Sequence, residues 1–168
     1  GRRRLAQPHL RHGDGDHDDG EHAEGGDEGV DVALRIAHLP DSSLIAIRVG
    51  EVRRVVCASP GYLAGRAAIR EPGDLSEHAC IAVAQFGMDA WNFPPPAGSV
   101  GARHVAIKPR LVVNGVEAAV ASAAEGRGVT RVLSYQVADE VRAGKLVVLL
   151  AEAEPPPLPV HLVTPEGR

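Results

Sequence analysis

The stretch VDVALRIAHLPDSSL, Val30 to Leu44, indicates the fold class of the chain. Its first seven residues are mostly apolar and favour a β-strand, and Pro-Asp-Ser-Ser then predicts a turn. Arg35, near the strand exit, is unexpected in an ordinary buried strand. Because ligands of open α/β sheets lie beyond the carboxyl ends of the strands, we predict that Arg35 faces a ligand and can bind a carboxylate. The alternative is a surface arginine paired with Asp31 or Asp41.

Downstream of this stretch, short β-rich runs alternate with helical patterns. The predicted strands are SLIAIRVG and EVRRVVCAS (split by Gly50), ACIAVA, DAWNF, HVAIKPRLVVN (two short strands or one bent strand, broken at Pro109), GVTRVLS, KLVVLL and Val160–Thr164. Strands that alternate with helices are typical of an α/β fold with parallel connections.

Four segments carry helix signals. Ser59 before a proline predicts an N-cap and a short helix, and EPGDLSEH predicts one further helical turn. The clearest helix is NGVEAAVASAAEG, in which we expect Asn114 as the N-cap, Glu117 as the partner in a capping box, and Gly126 as the terminator. SYQVADEVRAG predicts a helix that ends at Gly144.

The composition predicts one globular domain and no nucleic-acid-binding face. The chain has 168 residues, of which 44% are hydrophobic but only 3% are aromatic, so the core must be aliphatic. The net charge of −4 comes from residues 1–30, with 4 arginines and 8 acidic residues, while residues 31–168 carry 14 charges of each sign. A neutral body offers little electrostatic attraction for nucleic acid.

The two cysteines and the hydropathy pattern bear on the cellular compartment. Cys57 and Cys80 lie in apolar strands without metal-ligand spacing, so we expect buried free thiols that suit a reducing cytosol. The sequence contains no run of 18 apolar residues that would predict a membrane span. It also has no apolar segment near the N-terminus that would predict an export signal.

Residues 1–28 form a segment rich in Gly, Asp and His, with two leucines as its only large apolar residues. We expect this tail to be disordered, because it cannot form a packed apolar face. Either the segment is a genuine low-complexity extension or it is the product of a frameshift in a GC-rich gene. The residues that could chelate a metal weakly, but fit no rigid site, are His9, His12, His17, His22, Asp14, Asp16, Asp18 and Asp19.

Several motifs in order carry a family likeness. Together they resemble the C-terminal effector-binding domain of LysR-type transcriptional regulators. The segments that carry this resemblance are, in order, GVDVALRIAHLPDSSLIAIRVGEVRRVVCASPGYLA, WNF, PRLVVNGVEAAVASAAEGRGVTRVLSYQVADEVRAGKLVVLL and PVHLVTPEGR. The resemblance runs from about Gly29 to Arg168. It implies an α/β fold like that of type 2 periplasmic binding proteins, in which two lobes joined by two crossing strands hold a small ligand between them.

On that template the chain holds one nearly complete lobe and a remnant of the other. Residues 29–51 would belong to the first lobe, and 52–59 to the first crossing. The second lobe and the crossing strands would occupy mainly 52–165, with 160–164 as the return crossing. The winged helix-turn-helix of such regulators has no counterpart here, so specific DNA binding is expected only through a domain that this chain lacks.

The resemblance also suggests where an effector binds. Besides Arg35, we expect contacts from Phe86, after the strand CIAVAQ, and from Thr130 in GVTRVLS. The backbone N–H groups of Asn114, Gly115 and Val116, at the start of the best helix, would suit an anion. Plain capping by Asn114 is the alternative there.

The sequence contains no recognisable catalytic, cofactor or metal motif, so we expect neither an enzyme nor a bound cofactor. We predict a cytoplasmic effector-binding domain that forms a homodimer or a higher oligomer. Its effector would be a carboxylate or aromatic metabolite. The alternatives are a transporter-type solute-binding protein of the same fold and a non-functional remnant of a decayed regulator gene.

Overall fold

The computed structural model describes residues 32–38 and 44–165. The strands are β1 Ala33–Ile36, β2 Leu44–Val52, β3 Arg54–Ala58, β4 Ala79–Val83, β5 Ala90–Phe93, β6 Arg103–Ala106, β7 Lys108–Val113, β8 Val129–Leu133, β9 Val147–Leu149 and β10 Leu158–Pro165. The α-helices are α1 Pro60–Leu63, α2 Val116–Ala124 and α3 Ala138–Arg142, and short 3₁₀ helices cover Pro72–Glu77, Ala84–Phe86, Ser134–Val137 and Ala151–Ala153. The tail of residues 1–28 lies outside the described residues.

The larger sheet has five strands in the order β7-β4-β8-β3-β9. β4 runs parallel to both β7 and β8, while β3 is antiparallel to β8 and to β9. The expected parallel connections therefore hold for only part of the sheet. β3 is antiparallel because the chain reaches it directly from β2 in another sheet, rather than by a helical crossover within this one.

Both faces of the larger sheet are covered, so its central strands are apolar throughout. On β4, Cys80 and Ala82 pack on one side with Trp91, Phe93 and other residues of one apolar cluster. Ile81 and Val83 pack on the other side in a second cluster, which includes residues of α2. Alternate residues of β3 divide in the same way, which places Cys57 and Cys80 in different clusters. Both thiols are buried and free, as predicted.

The smaller sheet, β1-β10-β2, is antiparallel throughout. Leu34, Leu162 and Ile47 pair across its three strands and are between 37% and 61% exposed, so this side of the sheet is apolar and open. Arg35 lies opposite His161 on the middle strand.

Two expected strand breaks are wrong. β2 continues through Gly50, which pairs with Val160 of β10, and the pairing accommodates one extra β2 residue, Val49, as a bulge between Gly50 and Arg48. The break before β7 falls at Ile107 rather than at Pro109. Pro109 is tolerated inside β7 because β7 is an edge strand, where a missing N–H leaves no central pairing unmade.

Of the two predicted N-caps, the one for α1 is correct and the one for α2 is wrong. The Ser59 hydroxyl accepts a hydrogen bond from the Tyr62 N–H at 3.1 Å, so Ser59 is the N-cap of α1, as expected. The N-cap of α2 is Gly115 and not Asn114, and no side chain caps this helix. Glu117 is therefore only two residues past the N-cap, too close to complete a capping box.

Candidate functional site

One edge of the larger sheet collects the carboxyl ends of the parallel strands β4, β7 and β8. Phe86 follows β4, Asn114 follows β7, and Leu133 ends β8. The Gln85 side-chain amide donates a hydrogen bond to the Asn114 carbonyl oxygen at 3.1 Å and so links two of these strand ends. Ligands of open α/β sheets bind at such an edge, so it is the candidate site on topology alone.

A narrow pocket lies at this edge, with a volume of about 30 Å³. Its lining residues are Arg54, Phe86, Trp91, Arg131, Val132 and Leu133. β3 supplies Arg54, which lies opposite Leu133 because β3 pairs with β8. The β5–β6 hairpin supplies Trp91, which is paired with Val105 and is only 3% exposed.

Two arginines give the pocket its charge. The Arg131 guanidinium carbon lies 4.7 Å from the centre of the Phe93 ring, and that of Arg54 lies 6.0 Å from the centre of the Phe86 ring. Burial, and secondarily the charge of Arg54, lowers the pKa of Arg131 to about 10. The Arg131 Nε atom is buried without a hydrogen-bond acceptor.

Within the part of the chain that the structure describes, neither pocket arginine forms an ion pair with a carboxylate. The neighbouring Arg53 differs, because its Nη1 binds both carboxylate oxygens of Glu154, at 3.0 and 3.1 Å. The pocket therefore holds an excess of positive charge beside aromatic rings. An organic anion would complement both features.

The six residues expected to contact an effector lie in different surroundings. Phe86 lines the pocket and Asn114 lies at the same sheet edge, where it is exposed. Thr130 is fully buried, and its hydroxyl donates to the Ile81 carbonyl oxygen at 3.1 Å, which gives it a structural role. Arg35 belongs to the smaller sheet and is exposed. Effector contact by these four residues stays a prediction.

Gly115 and Val116 begin α2, where Val116 lines a second, wider groove of about 470 Å³ between α2 and the segment that leads into α3. The charged side chains of this groove are Glu117, Glu140 and Lys145. Two carboxylates against one amine make the groove less suitable for an anion than the arginine pocket. Anion contact at Gly115 and Val116 likewise stays a prediction.

The sequence interpretation missed Arg54, Trp91 and Arg131. The signal for Arg131 was present, since an arginine inside the apolar strand GVTRVLS is as unusual as Arg35 in its strand. Arg54 gives no such signal, because in the pair Arg53-Arg54 only the tertiary structure shows which residue faces a carboxylate and which faces the pocket.

In residues 32–38 and 44–165, no group of three or more His, Cys, Asp or Glu side chains comes together to hold a metal ion. The His/Asp run of the tail lies outside this part of the chain. Among the described helices, none has the length and apolarity needed to cross a membrane.

Comparisons with known proteins agree on the family. Residues 17–168 match the model of the LysR substrate binding domain. The chain is 30% identical over 139 residues to the HTH-type transcriptional activator AaeR of Escherichia coli, covering 83% of this chain and 44% of that protein. It is 30% identical over 140 residues to the HTH-type transcriptional regulator PtxR of Pseudomonas aeruginosa, with 83% and 44% covered. The chain thus spans less than half the length of these curated relatives.

Solved structures show the same fold. The regulatory domain of AphB from Vibrio vulnificus superposes with a TM-score of 0.69 at 22% identity, over 82% of this chain and 67% of that one. CrgA, a LysR-type transcriptional regulator from Neisseria meningitidis, superposes with a TM-score of 0.67 at 27% identity, over 82% of this chain and 46% of that one. The predicted α/β, periplasmic-binding-protein-like fold is confirmed. This chain belongs to the LysR substrate-binding-domain family and is homologous to the effector-binding domains of LysR-type transcriptional regulators.

Proposed function

We propose that this domain senses a carboxylate or aromatic metabolite at the carboxyl edge of the larger sheet. The observation that carries the proposal is the pocket of Arg54 and Arg131 beside Phe86 and Trp91, in which positive charge and aromatic surface lie together without a protein carboxylate. Family membership supports the general role, and the lining of the pocket supports this choice of effector chemistry.

The domain would act on DNA through an attached winged helix-turn-helix rather than through its own surface. Effector binding would change how two or more copies of the regulator associate, and so how their DNA-binding domains lie on a promoter. We propose a homodimer or a higher oligomer in the bacterial cytoplasm.

A sensing rather than catalytic role is supported by the pocket lining. Arginine, phenylalanine, tryptophan, valine and leucine provide no nucleophile and no acid–base group that titrates near neutral pH. Binding and release of an unchanged ligand are what such a lining can perform.

The test is titration calorimetry of the 168-residue chain with a panel of small acids, in which each acid is paired with its uncharged amide. We expect at least one aromatic acid to bind and its amide to bind much more weakly, because the amide lacks the charge that the arginines require. If no acid binds and none raises the melting temperature, the sensing function is wrong and a non-functional remnant becomes the better description.

Association is tested separately by sedimentation of the same chain. We expect self-association that depends on concentration, because Leu34, Ile47 and Leu162 leave an apolar surface uncovered. A monomer that persists at high concentration would contradict the predicted oligomer.

A further inference from the structure

We propose that Arg54 and Arg131 form a receptor for one carboxylate group, and that Phe86 and Trp91 receive the flat apolar body to which this group is attached. The ligand class is then a planar organic monocarboxylate, bound head first. This proposal rests on the proposed function and assigns its ligand chemistry to particular residues.

The first argument is the state of the other arginines. Arg53, Arg103 and Arg127 each bind a carboxylate, with N–O distances from 3.0 to 3.3 Å. Arg54 and Arg131 have no such partner among residues 32–38 and 44–165, although they are only partly exposed. Two like charges in one narrow pocket repel each other, and a bound anion would remove that repulsion.

The second argument is an unused donor. The Arg131 Nε–H is buried and has no acceptor. A buried donor left unpaired is costly, and a native protein usually provides an acceptor, a water molecule or a ligand for it. A carboxylate suits a guanidinium because its two oxygens accept parallel hydrogen bonds from two of its nitrogens.

The third argument concerns size and the apolar lining. A volume of about 30 Å³ accommodates a carboxylate head or one to two water molecules, but not a whole organic acid. The rest of the ligand must therefore extend outward past Phe86, which is partly exposed. Trp91, Val132 and Leu133 make the remaining wall largely apolar, so a second anionic group would find no cation there.

The experiment uses Trp91 as its reporter. Trp91 is the only tryptophan of the chain and lines the pocket, so its fluorescence reports occupancy there directly. We would titrate the full chain with benzoate, with benzamide and with inorganic phosphate. Benzoate should change the Trp91 emission in a saturable manner, benzamide should not, and phosphate should bind more weakly than benzoate because it makes no contact with the aromatic rings.

Four arginine variants, one of them a control, then test the assignment. Arg131→Met should weaken benzoate binding at least about tenfold, and Arg54→Met by a smaller factor, because each removes a charge-assisted hydrogen bond. The control is Arg110→Met, which removes the same charge from an exposed position on β7 outside the pocket and should leave the affinity unchanged. Circular dichroism of each variant checks that it folds, and Arg131→Lys keeps the charge without the planar fork and should bind weakly.

The outcomes separate this proposal from the proposed function. If benzoate or another acid binds but the Arg54 and Arg131 variants retain the affinity of Arg110→Met, the receptor is wrong and the sensing function stands. If phosphate binds as tightly as benzoate, the pocket is a general anion site and the aromatic part of the proposal is wrong. If no acid binds the wild-type chain by fluorescence or calorimetry, both proposals are wrong.

Discussion

The Arg131 guanidinium carbon lies 4.7 Å from the centre of the Phe93 ring, inside the layer of apolar side chains on one face of the larger sheet. The aromatic face attracts the cation, but it provides no acceptor for the buried Nε–H. Burial, and secondarily the charge of Arg54, lowers the pKa of Arg131 to about 10. In the absence of an anion, the charge of Arg131 therefore lowers the free energy of unfolding.

We expect Arg131→Met to stabilise the ligand-free protein. Methionine keeps apolar contact with Phe93 and removes the desolvated charge, and such replacements raise the free energy of unfolding by about 1 kcal/mol or more. Urea unfolding in a buffer of low ionic strength measures the difference from wild type. A less stable Arg131→Met protein would show that the arginine is fully compensated in the ligand-free state.

The same comparison has a defined pH dependence. The pKa of Arg131 is lowered, so the folded protein holds this proton more weakly than the unfolded chain does, and the cost of the charge is fully present below pH 10. The cost should fall as the pH rises through about 10 toward the ordinary pKa of arginine. The stability difference between Arg131→Met and wild type should therefore be constant near neutral pH and narrow above pH 10.

Ser59 and Asn114 should respond differently to alanine. Ser59→Ala removes the hydroxyl that accepts from the Tyr62 N–H and should lower the free energy of unfolding by about 0.5–2 kcal/mol. Asn114→Ala should change it by less than about 0.5 kcal/mol, because Gly115 is the N-cap and the Asn114 side chain is exposed. Thermal melts of both variants make the comparison, with Ser59→Thr as the variant that keeps a capping oxygen. Equal losses for the two alanine variants would mean that Asn114 caps α2 after all.

Gly128 is expected to tolerate no side chain. A Cβ atom there would lie 2.5 Å from the backbone oxygen of Ala79, at the point where β8 comes alongside β4. Gly128→Ala should therefore cost about 1–3 kcal/mol, since the two strands would have to move apart. Gly61→Ala is the matched control, because a Cβ atom there has no neighbour within 4 Å. Denaturant unfolding of both variants measures the difference. Equal unfolding midpoints for Gly128→Ala and Gly61→Ala would contradict the expectation.

The two thiols should be unreactive in the folded protein. Burial, assisted by the charge of Glu140, raises the pKa of Cys57 to about 12, and burial raises that of Cys80 to about 11. At pH 8 both are protonated, and the thiolate is the reactive form. A chromogenic disulfide reagent should label neither thiol of the native chain and both thiols of the chain in urea. Rapid labelling of the native protein would show that one face of the larger sheet opens readily.

Local chemistry in the sequence predicted most of the elements correctly. Ser59 before Pro60 marks the start of α1, and Gly126 and Gly144, both with positive φ, follow α2 and α3 as expected. Short apolar runs rich in β-branched residues also located the described strands approximately. These features depend on contacts among residues a few positions apart, so they can be read without knowing the fold.

The composition of the pocket was decided by the tertiary structure. Arg54 and Arg131 meet because β3 pairs with β8, and the β5–β6 hairpin adds Trp91 from a third part of the chain. No local pattern shows that Arg53 binds Glu154 while its neighbour faces the pocket, or that α2 begins one residue later than Asn114 suggests. The sequence by itself determined the family, the fold class and the local signals. The convergence of the two arginines depends on pairings between distant segments, whose energies appear only when the whole sheet is assembled.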